Sequence, residues 1–254
     1  MNRLAIAAAL VATLSISATA PLAQAAALDD SYAVHRSIPL QLDTDGVAGR
    51  LEILEDKRIT PELRGEMWHR ANAPSFVLGE DDPLAQELRR RPLLPGRLRL
   101  VHAAGFVTFE EAFEVPLGEI EAVSLYPAEK RTFLVTTDYS VGFGSYAGPI
   151  TGFAEIRDGD LYWLDAVDEE TGESRGISLM RSLKRGWKIV DAAAGKEIQR
   201  IGCEVDLSGN GSFKTEYGVF SFDVEVWRYR KRTEPGCFEL EAAGEGWPER
   251  SAFP

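Results

Sequence analysis

From Arg131 to Val167 the chain alternates three apolar runs with two breaks. Phe133-Leu134-Val135 comes first, then a loop rich in glycine and aromatics, then Ile150–Arg157 and Asp160–Val167. The last two flank Asp158-Gly159, the residue types of a two-residue type I′ turn, which needs positive φ at both positions. Their runs are apolar and aromatic on both faces. This predicts a hairpin deep inside a sheet, with the whole stretch as the centre of an all-β fold.

The same reading extends outward. Ser37–Leu42 and Leu51–Leu54 read as strands around the acidic turn Asp43-Thr44-Asp45-Gly46. Thr60-Pro61 is a helix start, with Thr as N-cap and Pro at the first position; a strand over Leu63–His69 is the alternative. Pro83–Arg91 is a second helix, capped by Asp82 and carrying arginines at its C-terminal end. Pro92–Gly96 is a proline-rich joint.

Strand-like alternation follows from Arg97. Val107, Phe109, Phe113 and Val115 share a face, although Thr108 with Glu111 also fits a capping box. Ile120–Tyr126, Ile177–Leu183, Trp187–Val190 and Ile201–Leu207 are further strands. Phe220, Phe222, Val224 and Val226 alternate with Ser221, Asp223 and Glu225, which predicts one half-buried strand over 220–226. A last strand is expected over Cys237–Glu241. The expectation is a mainly β protein, an antiparallel sandwich or open barrel over 96–242. A small α+β portion precedes it at 26–95, and a surface tail follows at 243–254.

The N-terminus changes the picture by removing residues 1–25. Met1-Asn2-Arg3, the apolar run Leu4–Leu14 and Ala23-Gln24-Ala25 have the form of a secretory leader. The run is too short to span a bilayer, and no later stretch is long and apolar enough. Cleavage near Ala25 would give a periplasmic or secreted protein. In that compartment the two cysteines, Cys203 and Cys237, are expected to be bridged.

A formal charge of −12, with 40 acidic against 28 basic residues, argues against nucleic acid and anionic lipid as partners. It favours a cationic one.

Candidate chemistry is sparse. Gly142–Gly148 is followed by Pro149 and a strand, not by the helix N-terminus that a phosphate loop requires. Ser145 lacks the glycines of a nucleophile elbow, since Phe143 and Ala147 stand there. The loop's remaining use is contact, through Asp138, Tyr139, Phe143 and Tyr146. Asp43-x-Asp45-Gly46 and Asp206-x-Ser208-x-Asn210 are incomplete calcium loops. His35, His69 and His102 have no zinc spacing, so no metal or cofactor is expected. The function expected is a non-catalytic binding protein of the bacterial envelope. Its partner would be a cationic envelope protein or a cell-wall glycan. An envelope hydrolase using paired carboxylates such as Asp138, Asp165 and Asp168, or a structural component, are the alternatives.

Overall fold

The computed structural model describes residues 29–42, 46–71, 83–126, 132–137, 148–192, 195–206, 212–238 and 246–254. The leader, Asp43–Asp45, Asp82 and the contact residues Asp138, Tyr139, Phe143 and Tyr146 lie outside them. The fold is mostly β.

The first sheet is antiparallel, in the order β1 (Tyr32–Gln41), β2 (Ala48–Asp56), β3 (Arg97–His102), β4 (Val107–Ala112). Helices α1 (Pro61–Ala71) and α2 (Pro83–Arg90) lie in the connection between β2 and β3. Thr60 caps α1 as its sequence implies, its Oγ1 accepting from the Leu63 amide at 3.2 Å. Because β2 pairs with β3, Leu51 opposite Leu100, one sheet runs across the Pro92–Gly96 joint.

The second sheet holds β5 (Gly118–Val123), β6 (Thr132–Thr137), β7 (Ile150–Arg157) and β11 (Ser178–Met180). The short β8 (Asp160–Trp163) also pairs with β7.

The third sheet is mixed. Its order is β10 (Ser174–Gly176), β9 (Asp165–Asp168), β15 (Val226–Pro235), β14 (Phe213–Asp223), β13 (Gly195–Val205), β12 (Arg185–Ala192). Within it, β15 and β9 run parallel.

The second sheet is the middle layer because its strands are apolar on both faces. Phe133, Val135 and Ala154 join a core with Leu51, Ile53, Leu98 and Leu100 of the first sheet. Leu134 and Phe153 join the opposite core with Ile198, Phe220, Trp227 and Tyr229 of the third. Burying both faces is what the Arg131–Val167 pattern implies. Asp158 (φ 52) and Gly159 (φ 84) make the expected turn.

Several expectations are corrected. Asp160–Val167 is not one strand. At Leu164 the chain leaves the middle sheet: its amide donates to the Phe153 carbonyl, and the Ile177 amide donates to the Leu164 carbonyl. Ile177–Leu183 likewise shortens to β11, because the chain bends to return as β12.

Phe220–Val226 is not one strand either. It is the end of β14, a two-residue turn at Val224-Glu225, and the start of β15.

The described part of the C-terminal surface segment, residues 246–254, is anchored on the third sheet. Phe253, only 5% exposed, packs with Trp247 on Ile201, Tyr217 and Val219, covering the face of the third sheet turned away from the middle layer. Finally, β15 ends at Pro235, and of the last strand expected over Cys237–Glu241 the described residues Cys237 and Phe238 are not strand, while 239–241 lie outside the described residues. Cys237 is bridged to Cys203 with Cα atoms 5.1 Å apart, reaching over β14. Hydrogen bonds from Phe238 to Thr215 and from Thr215 to Gly236 hold that crossing.

Candidate functional site

A cleft of about 400 Å³ opens where the first sheet meets the β8/β11 edge of β7. That edge is shared. β8 pairs with residues 154–157 and β11 with residues 150–152, and between them Phe153 donates its amide to the Ile177 carbonyl and accepts from the Leu164 amide. Val135 and Ile150 give the cleft its floor, Leu164 and Ile177 one wall, and Phe113 and Val115 the other. Phe113 is held because its ring packs where Gly96 and Gly118 lack side chains, and Gly96 exchanges backbone hydrogen bonds with Phe113 and Val115.

Trp163 lies across Gly152. A Cβ on Gly152 would stand 2.8 Å from the indole, so only glycine lets the ring lie down on the sheet. The indole Nε1–H donates to Glu111 Oε2 at 2.8 Å, which fixes both ring and carboxylate. Glu111 and Glu114 are exposed at the cleft. The result is an apolar recess with two carboxylates beside it. It suits an aliphatic or aromatic group that carries a positive charge next to it.

Nothing in the sequence marks this cleft as a unit. In the sequence Glu111 reads only as the partner of Thr108 in a capping box. Its walls come from β4, β6, β7, β8 and β11 and share no motif. One link to the sequence-predicted contact loop exists: Thr137 and Ile150 both line the cleft and face each other across β6 and β7. Residues 138–149 therefore connect the two strands that form the floor.

Of the carboxylates singled out for hydrolysis, Asp138 lies outside the described residues. Asp165 is exposed on β9. Asp168 is buried and committed to its turn, accepting from the amides of Glu170 and Thr171 and facing Arg175 at 3.3 Å.

His35 and His102 have separate partners as well. His35 lies between Glu55 and Glu119, while His102 stacks on Phe106. Burial pushes the Glu55 carboxyl above its ordinary value, opposed by Arg64. Among the described residues no group of three or more His, Cys, Asp or Glu is placed to hold a metal ion. No helix among them is long and apolar enough to cross a membrane.

One buried polar chain crosses between the second and third sheets. Trp227 Nε1–H donates to the Tyr126 hydroxyl at 3.0 Å, which donates to Glu155 at 2.9 Å, and Arg157 closes on Glu155. Burial raises the Tyr126 hydroxyl far above its ordinary range, so it stays a proton donor. None of these residues lines the cleft; the chain ties layers together.

No protein-family model, curated protein or solved structure matches this chain.

Proposed function

We propose that this is an exported binding protein of the bacterial envelope. In this reading it takes an apolar side chain of a cationic protein partner into the Trp163 cleft. The observation that carries the reading is the pairing of apolar walls with Glu111 and Glu114 at one recess. Walls of Val, Ile, Leu, Phe and Trp favour an aliphatic or aromatic side chain over the hydroxyl-covered faces of a glycan. A volume of about 400 Å³ suits one or two such side chains. The carboxylates and the −12 net charge would steer a basic partner to it. The leader-like N-terminus and the Cys203–Cys237 bridge support an oxidising compartment.

The test is capture from an envelope extract at low salt, followed by direct titration of the purified captured protein. Ser178 is exposed on β11 at the cleft, so Ser178→Trp should fill the recess and leave the core intact. Affinity should fall at least about tenfold in that variant. In the unsubstituted protein it should weaken steeply with added salt. Binding to purified peptidoglycan instead, or a protein partner indifferent to both Ser178→Trp and salt, sinks the proposal.

A further inference from the structure

We infer that the tip of the β14–β15 hairpin is a second contact surface, separate from the cleft, with Val224 as its anchor for a basic protein. Val224 is 86% exposed and has φ +53. For a β-branched residue that backbone region is an outlier, disfavoured by contact between Cβ and the carbonyl. It is also the position where a two-residue loop with one positive φ takes glycine. Here the least suitable residue type for the backbone is also the most exposed large apolar one among the described residues. Neither packing nor turn chemistry gains from it, so the gain lies outside the molecule.

The surroundings say what kind of partner fits. Asp223 and Glu225 flank Val224, both exposed, and Val226 adds apolar surface at 40% exposure. Asp223 is paired with Arg228 at 2.8 Å, leaving Glu225 as the outward charge. An apolar knob beside the Glu225 carboxylate complements a basic surface with an apolar recess.

The tip is also rigid at its base. Phe222 packs edge-on against Tyr126, with centroids 4.6 Å apart, and lies beside Trp227. Trp227 is in turn tied to Tyr126 and Glu155. A contact presented on such a base loses little freedom when it binds.

The experiment uses the full exported chain with Ser178→Trp, so that the cleft is blocked and the two readings fail separately. The probe is a short synthetic peptide of alternating lysine and leucine, with a lysine–serine peptide as control. Val224→Gly should raise the melting temperature by about 3 °C and weaken lysine–leucine binding about fivefold. Val224→Thr, which keeps the β-branch, should weaken binding without that thermal gain. The lysine–serine peptide should bind weakly to all three. An unchanged or lowered melting temperature in Val224→Gly overturns the inference. So does a stabilised Val224→Gly that binds the lysine–leucine peptide as well as its parent.

Discussion

Two hairpins in this molecule turn in two residues and solve the same problem in opposite ways. At Asp158-Gly159 both loop residues have positive φ, and both belong to the types that accept it. At Val224-Glu225 the first has positive φ and belongs to a type that resists it. The lengths of the arms explain why each is tolerated. β8 has four residues, so the first hairpin depends on its turn for register. β14 and β15 have eleven and ten, and the Cys203–Cys237 bridge secures their far end. A hairpin held elsewhere is free to place an unfavourable residue at its tip. A turn's sequence therefore reports local need only where nothing else fixes the register.

The largest effect should come from removing the far-end restraint. Cys203→Ala with Cys237→Ala opens a loop with a sequence separation of 34. In the chain-entropy account it should cost about 3–4 kcal/mol. Urea unfolding of this pair against the oxidised parent measures it. A loss below about 1 kcal/mol would mean that the bridge is not what lets the long hairpin carry a strained tip.

Next comes a substitution that makes the first turn resemble the second. Gly159 has φ +84, and an added Cβ there would meet nothing within 4 Å. Gly159→Val therefore tests backbone conformation free of clashes. It should destabilise by about 2 kcal/mol, read as a lower urea midpoint with an unchanged slope. If valine is accepted at no cost, positive φ carries no penalty here and the argument from Val224 loses its premise.

What was readable in the sequence follows the same division. The Asp-Gly turn, the Thr60-Pro61 helix start and the doubly apolar strands β6 and β7 were legible because local residue type and local need agree. The cysteine pair was legible from its number and the leader-like N-terminus. Val224-Glu225 was not, because Phe220, Phe222, Val224 and Val226 keep a perfect alternation straight through a reversal. The switch at Leu164 was hidden for another reason. Leu161 belongs to one core and Leu164 to the other, a distinction that apolarity alone does not carry. The parallel pairing of β15 with β9 joins segments some sixty positions apart, with Tyr229 opposite Asp168. The cleft was illegible as a site because strands distant in sequence supply its walls, and Glu111 acquires meaning only from the indole it holds.

The smallest effect sharpens the comparison with a third connection, one in which a suitable residue type serves a remote partner. Asp56 ends β2 and accepts from the Arg58 guanidinium and amide, an ordinary turn role. It also accepts from the amide of Leu94 at 3.0 Å, fixing the return of the chain toward β3. The Arg58 side chain first, then the Leu94 and Arg58 amides, hold its carboxyl down to about 2 against an ordinary 3.8. A carboxyl whose folded value lies below its unfolded one stabilises in full above the unfolded value and loses that contribution as pH falls through the folded one. Arg58 is half open to solvent, so Asp56→Asn should cost only about 1 kcal/mol at neutral pH. The gap between Asp56→Asn and its parent should stay constant down to about pH 4, then close toward pH 2. Paired urea titrations along that range would show it. A gap that persists unchanged at pH 2 would mean that Asp56 acts through its shape, which asparagine shares less well than assumed, and that charge adds nothing to the turn.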